Sequence, residues 1–557
     1  MIYQNPILSG FHPDPSVCRV GEDYYLVNST FEYFPGIPVY HSVDLIHWEQ
    51  IGHVITRPNQ VKLPKGAPNC ISIYAPTIRY HQGTFYCIVT NVGSEGNIIF
   101  TTKDIYGEWS DPIRIPECEG IDPSLFFDDD GKVYYSGIDG RIFIAQIDVE
   151  SGKLLSPKAN VWDGSGANNP EGPHLYKING YYYLMIAEGG TEAGHRETIA
   201  RAKDIFGPYE DCPYNPILTN NGTDLPLKAI GHADLVDDVN GNWWAVCLGN
   251  RPLGYPFTHN MGRETMLTSL TWENDWPKMA RDGRVYLEMD GPEILRTKEA
   301  KEKGEQIAKV VTPDGRNARG HYVAGSEMVD FAGSNREAEP ASTEAFANLA
   351  DRAEASVRID AKPGALHPSW NYIYEPVGKL ISLKEGRLVL GGNAVSLSED
   401  DHKAFLVRRQ EAFNFEAQVK LSFEPSGENE EAGIAIYMNP AHHYEAFLTL
   451  RAGRRSVVIR RRIGSLVAEE NVIPVKEDAV WLRLSATREK YCFSVRENED
   501  DEFKPLGQGE CRYLTTEAGG CFTGNYLGLF ASGNGKDCQK GAIFTHFSYK
   551  NVEEQTK

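Results

Sequence analysis

The sequence lacks the signatures of most enzyme classes. Its ten cysteines are scattered, with no C-x-x-C pair and no histidine at ligand spacing. That excludes a zinc module and a disulfide-framed secreted scaffold, and leads us to expect a reduced chain. No run of about 18 apolar residues occurs, so no membrane-spanning helix is expected. Positive charge is scarce: 56 Lys and Arg face 77 Asp and Glu, a net charge of −21. An acidic surface of that size argues against nucleic acid and anionic membranes as partners. The one basic run, Arg451, Arg454, Arg455 and Arg460 to Arg462, alternates with apolar residues and reads as the solvent face of a strand. G-x-G-x-x-G and G-K-[ST] are absent, which removes hydride and phosphoryl transfer. G-x-S-x-G and H-E-x-x-H are absent too, leaving no serine-hydrolase elbow and no zinc-protease helix. No leading apolar segment precedes blade-like patterning, so the expected location is cytoplasmic.

What is present is a repeat. Short extended motifs open five modules: D-P-S-V at Asp14, A-P-T-I at Ala75, D-P-S-L at Asp122, E-G-P-H-L at Glu171 and G-H-A-D-L at His232. Each is followed by a glycine and an aromatic pair: Gly21 with Tyr24 and Tyr25, Gly83 with Phe85 and Tyr86, Gly131 with Tyr134 and Tyr135, Gly180 with Tyr182 and Tyr183, Gly241 with Trp243 and Trp244. The anchors Asp14, Ala75, Asp122, Gly172 and His232 step by 61, 47, 50 and 60 residues. A period of that size, with several short strands per copy, predicts a five-bladed β-propeller. A second repeat, at Asp44, Asp104 and Asp204, reads as rim turns. The propeller is expected over residues 1–297, a charged linker and irregular segment over 298–350, and a second all-β domain over 351–557. In this last domain alternating strands predict a two-sheet sandwich. The chain is thus all-β.

In a propeller the first strand of each blade lines the axis, so the heads of the modules converge. Asp14, Asp122 and Glu171 would then meet in one funnel, where like charges push a pKa upward. A lone Asp-Pro is ordinarily a turn; three carboxylates in phase are costly unless used. Two carboxylates across a glycosidic bond suffice for its hydrolysis, one protonating the leaving oxygen and the other serving water or attacking.

The ordered set N-P-I-L-S-G-F-H-P-D-P-S, Y-A-P-T-I-R-Y, I-D-P-S-L-F-F-D-D-D-G, P-E-G-P-H-L-Y-K, A-E-G-G-T-E-A-G-H and G-H-A-D-L-V-D resembles glycoside hydrolase family 43. It is most similar to the β-xylosidase branch that carries a C-terminal concanavalin-like β-sandwich. The resemblance implies an inverting mechanism, with Asp14 as general base, Glu171 as general acid and Asp122 as modulator of the acid. It also implies sugar contacts from Phe31, Tyr74, Ile121, His195, Thr198, His232 and Arg263. Tyr74 stands where the branch often has Trp and Ile121 where it often has Phe, a smaller wall that bears on xylose against arabinofuranose. No cofactor is required, although the resemblance admits Ca²⁺ or another cation near His232. The implied activity is an exo-β-1,4-xylosidase on xylo-oligosaccharides, with α-L-arabinofuranosidase as the alternative and arabino-oligosaccharides as its substrates. A non-catalytic sugar-binding propeller and an endo-arabinanase are more distant readings. A homo-oligomer is left open.

Phe522, in a Gly-flanked loop of the sandwich, is expected from the resemblance to close one side of the pocket formed with Phe31, Tyr74 and Asp14. Phe522→Ala is then expected to lower kcat/KM on xylobiose with little loss of fold. Unchanged kinetics on short oligomers would remove that role.

Overall fold

The computed structural model describes residues 2–64, 70–290, 322–323, 366–374, 380–384 and 387–552. The linker expected over 298–350 lies outside them, apart from Tyr322–Val323. The chain divides into two compact units. Met1–Pro64, Cys70–Pro252 and Arg263–Lys309 form the first, and Lys65–Asn69, Leu253–Gly262 and Val310–Lys557 form the second.

The first unit is the propeller. Blade 1 runs Ser16–Val20, Asp23–Val27, Gly36–Ser42, Glu49–Ile55, and blade 2 runs Thr77–His81, Thr84–Val92, Gly96–Thr102, Ile113–Arg114. Blade 3 is built on Ser124–Phe127, Val133–Asp139 and Arg141–Asp148, with short outer strands at Lys153–Leu154 and Ala159–Asn160. Blade 4 runs Glu171–Ile178, Tyr181–Glu188, Arg196–Ala202, Glu210–Asp211, and blade 5 runs Lys228–Asp237, Trp243–Asn250, Glu264–Glu273, Trp276–Met279. All pairings within blades are antiparallel.

The repeat signals map onto fixed positions. The five glycines occupy the hairpin between first and second strands, with φ of 63°, 83°, 82°, 75° and 78° at Gly21, Gly83, Gly131, Gly180 and Gly241. A Cβ there would touch nothing, so the backbone conformation alone calls for glycine. The aromatic pairs lie in the second strands and pack between blades, as Tyr25 does against Phe85 with ring centroids 5.2 Å apart. Tyr183, Leu235, Cys247 and Trp276 share the core between blades 4 and 5. At the rim Asp44, Asp104 and Asp204 each accept from a backbone N–H two residues on, at Ile46, Tyr106 and Phe206. They are turn formers.

The ring closes at the N-terminus. Ile2–Gln4 pairs antiparallel with Glu288–Asp290, and Leu8 bridges Thr265 in the third strand of blade 5. Asn5 Nδ2 donates to the carbonyls of Leu267 and Tyr286 at 3.0 and 3.1 Å, while its Oδ1 accepts from Leu267 N at 2.9 Å.

On the axis every blade contributes a polar side chain, and blade 4 contributes two. Asp234 Oδ2 accepts from Ser16 Oγ (2.6 Å) and Arg79 Nη1 (2.8 Å), and its Oδ1 from Tyr176 OH (2.7 Å) and Arg79 Nη2 (3.2 Å). His174 Nδ1 lies 3.0 Å from both Arg79 Nη2 and Ser124 Oγ. A guanidinium only donates, so this Nδ1 is an acceptor and the His174 proton is on Nε2. Burial pushes the His174 pKa down to about 3, so it is neutral here.

The second unit is a two-sheet sandwich. One sheet orders Leu466–Pro474, Arg454–Ile463, His442–Arg451, Glu431–Asn439, Tyr526–Ser532, Ala404–Arg409, Trp370–Ile373. The other orders Ile381–Lys384, Arg387–Leu390, Ala542–Asn551, Phe415–Ser422, Ala479–Ala486, Lys490–Arg496, Lys504–Glu510. Two expectations need correction. Arg460 is not a solvated strand residue: it is largely buried and binds Glu431, Glu445 and Glu469 at 2.5, 2.9 and 2.6 Å. Eight of the ten cysteines are free thiols, but Cys70 and Cys521 are each disulfide-bonded, so the chain is not wholly reduced. Among the described residues no helix is long and apolar enough to cross a membrane.

The axial ion pair carries a stability prediction. Arg79 and Asp234 are 16 % and 0 % exposed, so Asp234→Ala leaves a buried cation without its partner. The expected cost is about 3–5 kcal/mol, read as a lower urea midpoint for the propeller. A shift within error of wild type would show that the pair contributes nothing net.

Candidate active site

The three carboxylates converge on residues with unusual backbone. Asp14, Asp122 and His232 have φ of 51°, 54° and 52°, and Gly172, at the equivalent point of blade 4, has φ of 59°. Non-glycine residues in the left-handed region are strained, and such strain concentrates at functional sites. Neighbouring bonds hold the first of these turns: Asn28 Nδ2 donates to Pro13 O at 2.8 Å and Thr265 Oγ1 to His12 O at 2.7 Å.

Asp14 is buried and both of its oxygens are engaged. Oδ1 accepts from Arg263 Nη1 at 2.6 Å and Oδ2 from Ser29 Oγ at 2.5 Å. Glu171 opens blade 4. Its Oε1 lies 3.2 Å from His195 Nε2 and 4.0 Å from His232 Nδ1. His195 is fully buried with Nδ1 3.0 Å from the carbonyl of Ala229, so Nδ1 carries a proton and Nε2 is the atom that faces the acid. The His195 Nε2 contact falls outside hydrogen-bonding angles. Gly231 makes room for this ring, since a Cβ there would come within 2.6 Å of it. Asp122 Oδ2 accepts from Gly172 N at 3.1 Å, which ties Asp122 to the residue next to Glu171.

The electrostatics reverse one expectation. Burial pushes Asp122 up to about 7, the negative charges of Glu171 and Asp14 adding to the rise and His232 opposing it. Glu171 falls below the usual carboxylate range: burial would raise it, but His195 and His232 outweigh that. His232 is lifted to about 10 against burial by Glu171, Asp122 and Asp14. The pair is therefore polarised, Asp122 having the higher proton affinity through burial and Glu171 the lower one beside two imidazoles.

An aromatic and cationic wall lies beside these groups. Phe31 and Tyr74 rings lie 5.1 Å apart, and the Arg263 guanidinium lies 5.7 Å from the Phe31 ring. Tyr74 is half-buried, with its hydroxyl donating to Cys70 O at 3.2 Å. Ile121 is half-buried next to Asp122.

Three carboxylates and two histidines at one end of a five-bladed propeller invite comparison with known proteins. The model "Glycosyl hydrolases family 43" matches residues 3–277, and "Beta xylosidase C-terminal Concanavalin A-like domain" matches 360–550. A non-reducing end alpha-L-arabinofuranosidase of Bacteroides ovatus is 39 % identical over 99 % of this chain and 95 % of its own. A xylosidase/arabinosidase of Butyrivibrio fibrisolvens is 36 % identical over 100 % of both. The crystal structure of a xylan beta-1,4-xylosidase from Bacillus halodurans superimposes with a TM-score of 0.81 at 32 % identity, covering 99 % of this chain and 100 % of that one. The chain belongs to glycosyl hydrolase family 43. It is a glycosidase with carbohydrate substrates.

Within this family 43 site the expected sugar contacts separate. Arg263, Phe31, Tyr74 and His232 are gathered around Asp14 and Glu171 as described. Thr198 is not at the surface of the funnel: it is fully buried, and its Oγ1 donates to Glu188 Oε2 at 2.7 Å. Glu188 also accepts from the N–H groups of Ser165 and Ala167, so Thr198 helps clamp the loop that leads into Glu171. His195, equally buried, backs the acid. Thr191, which sequence reasoning passed over, is only partly buried and lies 3.4 Å from Arg263 Nη1. Ser29 was also missed. Phe522 belongs to the second unit, where it is 44 % exposed. A cation near His232 does not suit the residues present. The axis already holds the Arg79 guanidinium against Asp234, Asp14 Oδ1 is taken by Arg263, and no metal-ligand cluster among the described residues includes His232.

Asp122 and Glu171 share one proton, so the alkaline limb of the pH profile belongs to the pair. Asp122→Asn removes the negative neighbour, Glu171 then holds its proton less well, and the limb moves to lower pH. A limb that stays in place or moves upward on kcat/KM would remove the coupling.

Proposed function

We propose that this family 43 enzyme is an inverting, exo-acting β-1,4-xylosidase, with Asp14 as general base, Glu171 as general acid and Asp122 as the group that tunes the acid. The observation that carries this reading is the placing of His232 Nδ1 4.0 Å from Asp14 Oδ1 and 4.0 Å from Glu171 Oε1. Those legs cap the separation of the two facing oxygens at about 8 Å, an upper bound that an inverting pair (~6.5–9.5 Å) meets at its lower end and whose other limit is left to the product anomer. Asp14, held on both oxygens by donors, is suited to orient that water. Glu171, beside ionisable imidazoles, is suited to exchange a proton with the leaving oxygen once substrate displaces solvent. Exo action is supported by the "non-reducing end" activity of the Bacteroides relative.

A second reading, α-L-arabinofuranosidase, is favoured by two particulars. Tyr74 gives a smaller and more polar wall than Trp, and the arabinofuranosidase relative is 39 % identical along nearly the whole chain. The ratio of kcat/KM on p-nitrophenyl β-D-xylopyranoside to that on p-nitrophenyl α-L-arabinofuranoside decides between them.

Asp14→Ala is expected to abolish turnover of xylobiose. Glu171→Ala is expected to lose about 10²–10⁴-fold on xylobiose and far less on p-nitrophenyl glycosides, whose leaving group needs no proton. Proton NMR of the first-formed product should show α-xylose from a β-linked substrate. β-Xylose as first product would overturn inversion, and equal losses on both leaving groups would overturn the acid assignment.

A further inference from the structure

An inverting glycosidase ends each turnover in the wrong protonation state. The base has taken a proton from water, and the acid has given one to the leaving group. Before the next turnover one proton must pass, in net terms, from base to acid. Here both groups are poorly placed to exchange with solvent: Asp14 is 4 % exposed, and the Glu171 side chain is 18 % exposed. Asp14 is further enclosed by Arg263 and Ser29, one of which cannot accept a proton.

A single atom stands between the two carboxylates. His232 Nδ1 is 4.0 Å from Asp14 Oδ1 and 4.0 Å from Glu171 Oε1. The ring is buried, and its backbone is fixed at φ 52° at the head of blade 5. The next residue is held by Glu197, whose Oε1 accepts from Ala233 N at 2.9 Å. The charged and titratable groups facing the ring are Asp14, Asp122 and Glu171 from blades 1, 3 and 4, with His174 and Glu197 more remote. His195 differs in kind, since its Nδ1 is committed to the Ala229 carbonyl and it reaches only Glu171.

From this geometry we propose that His232 is the proton-return group of the catalytic cycle, carrying the proton from Asp14 to Glu171 through Nδ1 between turnovers. The inference rests on the base and acid assignments above. After bond cleavage the site holds protonated Asp14, an Asp122–Glu171 pair that has lost its shared proton, and imidazolium His232. The Nδ1–H bond breaks as a proton joins Glu171 Oε1, restoring the acid and leaving neutral imidazole. The Asp14 O–H bond then breaks as its proton joins the vacated Nδ1, restoring base and imidazolium. No electron moves, no other reactant is consumed, and the Nε2 proton takes no part. Each hop requires closing about 1 Å from the resting 4.0 Å to hydrogen-bond range, a side-chain rotation on a timescale much shorter than turnover.

The test separates the first turnover from later ones. His232→Asn keeps a residue that tolerates the left-handed backbone, and His232→Gly gives a second variant with space for added imidazole. Each is mixed in rapid-quench format with phenyl β-D-xylopyranoside, or with the α-L-arabinofuranoside if that is cleaved faster, because phenol leaves poorly without a proton. The expected result is a burst of phenol equal to the enzyme concentration, then a steady rate at least 10-fold below wild type. Imidazole should accelerate the steady phase of both variants, and D₂O should slow that phase and not the burst. If first and later turnovers slow together with no burst, or if a burst is followed by a steady rate insensitive to imidazole and D₂O, His232 is not the return group. Asp14→Ala serves as the control for the underlying reading. A normal first turnover in that variant would remove the base assignment, whatever the His232 variants show.

Discussion

The structure depends on a buried positive charge at the propeller axis. Arg79 enters from blade 2 and is neutralised by Asp234 of blade 5, which also accepts from Ser16 of blade 1 and Tyr176 of blade 4. His174 of blade 4 accepts from Arg79 beside Ser124 of blade 3. A buried guanidinium without acceptors is costly, so all five blades must be in register for it to be satisfied. Four of the hub residues, Ser16, Ser124, His174 and Asp234, come two positions after Asp14, Asp122, Gly172 and His232. Each anchor stands at a left-handed turn or bulge just before its hub residue, so the same register that satisfies Arg79 also fixes where Asp14, Asp122, Glu171 and His232 fall.

That layer is strained in a repeated way. Three of its members are non-glycine residues with left-handed backbone, each costing about 1–3 kcal/mol, and the fourth blade uses Gly172 in the same place. In blade 4 the carboxylate therefore falls one residue earlier, on Glu171. The shift gives the acid a different exposure from the two aspartates: its side chain is 18 % exposed and that of Asp14 5 %. A Cβ on Gly172 would press against the His232 ring at 3.2 Å, so the glycine also keeps that ring where both carboxylates can address it.

Most of the architecture was legible because the signal occurs five times. One Gly followed by two aromatics is weak, but five in phase reveal a period, and the period identifies the strand heads where the chemistry lies. The hub was not legible, although Asp234 stands inside the G-H-A-D-L motif and Arg79 inside Y-A-P-T-I-R-Y. Nothing local distinguishes a buried axial charge from a solvent-facing strand residue when its partner is 155 positions away. The same limit hid the difference between Thr198 and Thr191. Both lie in one short stretch, and only the bond to Glu188 shows that Thr198 turns inward. Arg460 was misjudged for the mirror reason, its three glutamates lying on three other strands.

Base and acid are distinguished by their neighbours more than by their side-chain type. Two carboxylates at opposite sides of one site would titrate alike in water, and mutual repulsion alone would not decide which one keeps a proton. Here Asp14 has a permanent cation, since a guanidinium does not deprotonate in this range, and it remains an acceptor for water. Glu171 has imidazoles, whose charge changes with the proton count of the site, so its proton affinity depends on theirs. Asp122 also faces His232, but burial outweighs that imidazole and raises its proton affinity. A substrate oxygen entering beside Glu171 excludes solvent and weakens the case for keeping that carboxylate charged, and the nearest stored protons are on Asp122 and His232. Arginine at one end and histidine at the other thus give the pair a fixed polarity, with a permanent acceptor facing an adjustable donor.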